Sequence, residues 1–195
     1  MSIVVVAAAR EELGSIAGEI VGVGPVVSAV RVARMLAREK PSGVVLIGTG
    51  GAYAGGPPIG RAIASSRLGW LSGVDALGLG YTPAAPPPIE ADAGLLRALD
   101  LPRVPVLTTT AITTDPSLAR RLGAEWAVEH LESYGVALAC REAGVPFAAV
   151  LGIANEVGPD AHAQWLHHRD AAQDAARAAV AALLTGGQIL ADRSG

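Results

Sequence analysis

Ser2 to Ala8 is a short, nearly continuous apolar run rich in Val. Such a run without alternation predicts a strand buried on both faces. From Val26 to Arg38 the pattern changes. Val26, Val27, Val30, Ala33, Leu36 and Ala37 recur at helical spacing, predicting a helix that Pro41 stops. Gly43 to Thr49 is a second continuous apolar run, and it leads straight into Gly50-Gly51. Strand, helix and strand in this order imply a crossover and parallel pairing.

The middle of the chain is less regular. Gly55 to Gly60 reads as a Gly/Pro turn, followed by expected strands at Arg61 to Ser65 and Val74 to Leu79. Tyr81 to Glu90 holds four prolines and is expected to be a surface loop. Val104 to Thr110 and Ala124 to Glu129 read as strands, and Ser133 to Ala143 as a helix ended by Gly144. Val145 to Ile153 is a third strongly apolar strand, and Asp170 to Leu184 an Ala-rich helix with fraying residues beyond it. Alternating helices and buried strands predict an α/β fold of one domain over residues 1–187, with a C-terminal tail at 188–195. Ligands of such sheets bind beyond the carboxyl ends of the strands. That singles out three exits: Arg10-Glu11-Glu12, Thr49-Gly50-Gly51 and Ala154-Asn155-Glu156.

Composition narrows the partners. The formal charge of −3 on 195 residues leaves no basic footprint for nucleic acid. No stretch is long and apolar enough to span a bilayer without Gly, Pro or charge interrupting it. The run at Met1 to Ala9 is too short for a secretory signal, so the expected location is the cytoplasm. Cys140 is the one cysteine, which excludes an intramolecular disulfide; its Ala and Leu neighbours mark it as a core residue rather than a nucleophile.

The candidate chemistry is sparse. Gly48-Thr49-Gly50-Gly51-Ala52 can bring backbone N–H groups close to a ligand, or be a plain turn. It is neither a Walker A loop nor a dinucleotide fingerprint. Glu11 and Glu12 suit a helix N-terminus, where the macrodipole favours acidic residues. Glu132, at the start of an apolar helix, reads either as a cap or as a buried acceptor for sugar hydroxyls. His130, His162 and the adjacent His167-His168 lack metal-ligand spacing, so no metal or other cofactor is expected and a solvated polar face accounts for them. No Gly-x-Ser-x-Gly elbow supports a serine hydrolase.

Taken together, five segments resemble the nucleoside phosphorylase and nucleosidase superfamily: Val4 to Leu13, Val21 to Val27, Val45 to Ala52, Val128 to Cys140 and Val145 to Gly158. They follow the family's order across most of the chain. Ile153 to Gly158, with Trp165 downstream, is similar to the futalosine hydrolase branch. The resemblance implies a phosphorylase/hydrolase-like three-layer fold, a central mixed and largely parallel sheet flanked by helices. It implies that Glu12 activates water, Glu132 grips the ribose 2′- and 3′-hydroxyls, and Asn155 recognises the base. It further implies that Gly50, Gly51 and Ala52 lie beside the purine, that Ile112 packs on it, and that Leu131 stands next to the ribose carboxylate, where the family usually has Met.

The implied reaction is hydrolysis of an N-glycosidic bond, which develops positive charge on the sugar and negative charge on the leaving purine. An amide at position 155 offers a donor and an acceptor to a 6-oxopurine, where nucleosidases for adenine compounds carry Asp. The implied partner is therefore a small purine nucleoside such as futalosine, on a homodimer or higher homo-oligomer. No arginine adjoins Gly48 to Gly51, and Arg10 is the one candidate to hold a phosphate, which favours water as nucleophile. Two departures from the family pattern are Ala154 for a hydroxyl residue and Leu151 for an Arg. A purine nucleoside phosphorylase, a methylthioadenosine/adenosylhomocysteine-type nucleosidase and a binding-only relative stay open as alternatives.

Overall fold

In the structure, a computed structural model describing residues 2–192, β1 (Ile3–Ala7) and β3 (Gly43–Ala52) pair in parallel, from Ile3 opposite Gly43 to Ala7 opposite Ile47. Between them run α1 (Arg10–Leu13), β2 (Glu19–Ile20) and α2 (Pro25–Arg38). β8 (Phe147–Glu156) pairs with the other side of β3, again in parallel. The three apolar runs of the sequence are thus neighbours, and their carboxyl ends share one edge. Helices cover these strands: α7 (Ala161–Asp192) lies along β8 and β3, while α2 packs on α6 (Ser133–Ala143). Burial from both sides is why β3 and β8 show no polar alternation.

The rest of the sheet closes on itself. β4 (Ala62–Trp70) pairs antiparallel with β8 and parallel with β6 (Arg103–Thr108). β6 pairs in parallel with β7 (Val128–His130), which returns antiparallel to the end of β3. β3, β8, β4, β6 and β7 therefore form a ring, with β1 and β2 extending it on one side and β5 (Ile89–Glu90) on the other. The sheet is mixed and largely parallel, as expected.

Several local expectations are corrected. Val74 to Leu79 is not a strand. Ser72 caps a short helix, α3 (Gly73–Ala76), by accepting from the Val74 N–H, and Val74, Leu77 and Leu79 are exposed. Of Ala124 to Glu129, only Val128 and Glu129 are strand; the Trp126 N–H still donates to Leu122 at the end of α5 (Pro116–Leu122). Helices α4 (Ala93–Leu99) and α5 were not anticipated, although Asp92 and Asp115 cap them, accepting from Leu95 and Leu118 at 2.9 and 2.7 Å. The Gly48 to Ala52 turn is instead the end of β3, with a register shift against β8 at Gly50/Gly51. The last helix starts earlier than expected and is described to Asp192; the expected tail at 188–195 begins within it, and residues 193–195 lie outside the described residues. Cys140 is buried in the core, as its neighbours suggested. Among the described residues no helix is long and apolar enough to cross a membrane.

Small residues set the layer spacing. A Cβ on Gly152 would overlap the Ala172 carbonyl of α7, and one on Gly135 would overlap the Pro25 carbonyl of α2. Gly152→Ala must therefore push α7 off the sheet. It is expected to cost about 1–3 kcal/mol, as overpacking does, read as a lower urea midpoint. An unchanged midpoint would show slack between α7 and β8.

Candidate active site

Beyond the shared strand edge lies a cavity of about 620 Å³, within the range of small-molecule sites. The three strand exits chosen from the sequence all reach it: Glu12, Gly50 with Gly51, and Asn155 are lining residues. Ile112, Leu131 and Glu132 line it too. Ala52 does not; its side chain is buried in the core, beyond the last strand residue that faces the cavity.

Glu12 both caps its own helix and lines the cavity. It sits in the first turn of α1, and its Oε2 accepts from the Ala8 and Ala9 N–H groups at 2.9 and 3.2 Å, capping its own helix. Its Oε1 borders Gly48, 3.2 Å from where a Cβ of that residue would stand. Burial raises the Glu12 carboxyl above the usual range. His130 and the two backbone donors oppose that rise, and Glu132 adds to it.

Glu132 stands at the N-cap position of α6 but makes no capping hydrogen bond there. Its Oε1 accepts from the Gly24 N–H at 2.9 Å, across the chain at the start of α2, and its Oε2 lies 3.3 Å from His130 Nε2. Gly24 needs its positive φ of 91° to aim that N–H, a conformation other residues rarely adopt. Burial raises the Glu132 carboxyl as well, against the hydrogen bonds from Gly24 and Leu131.

The glycines of β3 are explained by what approaches them. A Cβ on Gly51 would stand 2.7 Å from Asn155 Nδ2, and one on Gly50 2.8 Å from a Val128 methyl. One on Gly48 would stand 3.0 Å from His130 Nε2. These positions are bare so that side chains from β7 and β8 can occupy the space above the strand. Asn155 is buried, and its Nδ2 donates to the Glu156 carbonyl at 2.9 Å, which fixes the amide orientation. One amide hydrogen and the carbonyl oxygen stay available toward the cavity.

His130 overturns an expectation. It is 5% exposed rather than part of a solvated face. Burial lowers its imidazole to about 4, with the charge of Glu12 pulling the other way. The signal was its position two residues before Glu132, at the end of a short strand that is buried throughout. Glu129, also missed, lines the cavity while accepting from the Tyr53 hydroxyl and the Thr113 N–H, both at 2.9 Å, and from the Thr113 hydroxyl at 2.5 Å. It thereby anchors the loop that carries Ile112. Trp165 lines the far side; its indole N–H donates to Thr49 Oγ1 at 3.0 Å, His162 stacks on it, and the Arg169 guanidinium lies 5.1 Å from its ring. His167 and His168 meet edge to face and do not line the cavity.

The Glu132 carboxyl, raised on folding, makes a stability prediction. Its charged form is disfavoured in the fold, so the burden is full above the folded pKa and vanishes below the ordinary carboxylate range. Glu132→Gln keeps an acceptor for Gly24 without the charge. It is expected to melt higher than the parent at pH 7, by about 2–4 °C per kcal/mol of relief, with the gap closing toward pH 4. Thermal unfolding across pH reads this, and a lower melting temperature at pH 7 would refute it.

The family model of the phosphorylase superfamily matches residues 5–186. Futalosine hydrolase of Thermus thermophilus is 32% identical over 161 residues, 74% of this chain and 71% of that protein. Futalosine hydrolase of Helicobacter pylori superposes with a TM-score of 0.83 at 15% identity, covering 94% of this chain and 97% of that one. The 5'-methylthioadenosine/S-adenosylhomocysteine nucleosidase of Colwellia psychrerythraea, solved with adenine, gives 0.82 at 18% identity, covering 95% and 96%. With a matched model spanning nearly the whole chain, and the strand-edge cavity in place, the chain belongs to the phosphorylase superfamily.

Proposed function

We propose that this protein is a nucleosidase that hydrolyses the N-glycosidic bond of a 6-oxopurine nucleoside, with futalosine as the substrate and hypoxanthine as the leaving base. The observation that carries the reading is one cavity lined by two carboxylates and one amide from distant segments, Glu12, Glu132 and Asn155. The likeness to a futalosine hydrolase at 32% identity supports the same class.

Each group has a task its surroundings suit. Glu12 holds one oxygen against backbone donors and keeps the other free to take a proton from water. A carboxyl raised by burial is a stronger base than an exposed one, which suits that transfer. Glu132 accepts from the ribose hydroxyls, and its charge favours the cation-like sugar of the transition state. Asn155 meets the base edge with a donor for O6 and an acceptor for N1–H, and unlike an Asp it carries no acidic proton to give to an adenine. Ile112 and Trp165 supply apolar faces for the base and sugar substituents.

Water is the nucleophile in this reading because the cavity is rich in negative charge. Glu11, Glu12, Glu129, Glu132 and Asp170 line it, against one arginine, Arg169, which lies 3.5 Å from Asp170. A phosphate dianion would meet repulsion there.

Futalosine and inosine are expected to release hypoxanthine at a rate independent of phosphate. Phosphate-dependent release of ribose 1-phosphate would make the enzyme a phosphorylase, and preference for an adenine nucleoside would undo the role given to Asn155. Binding without turnover would support a non-catalytic relative. Glu12→Gln is expected to lower kcat by roughly 10²–10⁴-fold, as loss of a general base does, with substrate affinity nearly intact; a fully active variant would remove Glu12 from the mechanism.

We also propose a homodimer. Val26, Val27 and Val30 of α2 are exposed beside Val23, which lines the cavity, giving an aliphatic surface next to the site. Light scattering should report twice the chain mass, and a monomer at micromolar concentration would count against it.

A further inference from the structure

We propose that His130 is a positioning residue of the hydrolytic site, locked as the neutral Nε2–H tautomer so that one N–H serves the Glu12–Glu132 carboxylate pair. The role rests on the nucleosidase reading; the tautomer does not.

The lock follows from what surrounds Nδ1. The N–H groups of Glu132 and Ser133 point at it from 3.3 and 3.2 Å, and the Ser133 hydroxyl lies 2.7 Å away. Backbone N–H groups can only donate, so Nδ1 must accept and carries no proton. A neutral imidazole then has its hydrogen on Nε2. That nitrogen faces Glu132 Oε2 at 3.3 Å and borders the bare space over Gly48, as Glu12 Oε1 does. The turn into α6, which supplies both backbone donors, therefore decides what the opposite edge of the ring presents to the cavity.

The consequence is directional. A donor beside Glu132 Oε2 holds that carboxylate against Gly24 and leaves it aimed into the cavity. A donor dipole beside Glu12 favours its ionised form, which is the form that can take a proton from water. Among the described residues, the other titratable groups lining the cavity are Glu11 on α1 and Asp170, Arg169 and His162 on α7, all exposed, and Glu129, taken up by Tyr53 and Thr113; Arg177 of α7, which packs on α1, is spent on the Glu11 carbonyl and Asp174. None of these supplies a buried donor to the two carboxylates. His130 does so without adding a cation.

Two measurements test this. In the ¹⁵N spectrum of the intact protein, the imidazole that disappears in His130→Gln should show a protonated Nε2 and a bare Nδ1 from pH 5.5 to 8. A titrating imidazolium or a tautomer mixture would overturn the proposal, whatever the substrate proves to be. In the pH profile of futalosine hydrolysis, His130→Leu should lower kcat/KM by roughly 10–100-fold, the worth of a hydrogen bond to a charged group. Its acid limb should move to higher pH. His130→Gln keeps a donor near the Nε2 position and should return the limb toward the parent, with KM little changed. A folded His130→Leu with an unmoved acid limb would overturn the role. If His130→Leu fails to fold, His130→Gln decides it: a limb displaced as far as loss of activity allows would overturn the role, and a parental limb upholds it. Absence of nucleoside hydrolysis by the parent itself would instead reject the nucleosidase reading and leave the tautomer result standing.

Discussion

Two carboxylates held a few residues from a hydrophobic core must be met by donors, or they will give up their charge. Glu12 and Glu132 are met mainly by backbone. Ala8 and Ala9 serve the first and Gly24 the second, so the donors come from the chain leaving β1 and the chain entering α2. Their positions depend on β1 pairing with β3, and on α2 packing against α6, where Gly135 lets the helices approach. Fold and site are thus linked through a few N–H groups. Anything that shifts α2 along α6 also moves the donor of the carboxylate that α6 carries.

The floor of the site is β3, and its composition follows from the same constraint. A glycine inside a strand costs roughly 0.5–1 kcal/mol relative to Ala, yet the end of β3 has three. Gly48, Gly50 and Gly51 are tolerated because His130, Val128 and Asn155 use the space their side chains would fill. The antiparallel return of β7 against β3, Gly51 opposite Glu129 and Ala52 opposite Val128, sets this register. Functional side chains here sit above bare backbone instead of projecting from a loop.

Much of this was legible in the sequence, for identifiable reasons. β1, β3 and β8 are apolar runs without alternation because they lie in the buried interior of the sheet, β3 and β8 between α7 and α6, and that burial is what the eye detects. Ser133 to Ala143 ended at Gly144 as read, because that glycine adopts a left-handed C-cap. α4 and α5 escaped because each is seven residues long, too short to show a period, although Asp92 and Asp115 marked their starts. Glu12 and Asn155 lay on strand exits that the α/β pattern singled out, while Glu132 as their companion in one cavity came from the resemblance. His130 was misjudged because its meaning lies in three groups it meets only after β7 turns into α6. The glycines looked like a turn because the side chains that require them lie far away in sequence.

The choice of a neutral donor over a cation has chemical sense for cleaving a glycosidic bond. The reaction builds positive charge on the sugar, so the field in the cavity should be negative there. An arginine beside the carboxylates would hold them ionised more firmly, but it would place a positive charge within a few ångströms of a sugar becoming positive, where Coulomb repulsion in a dehydrated site is strong. His130, with its imidazole held down to about 4 by burial, supplies an N–H dipole and no net charge at neutral pH. His130 thus orients the two carboxylates without cancelling the field they create.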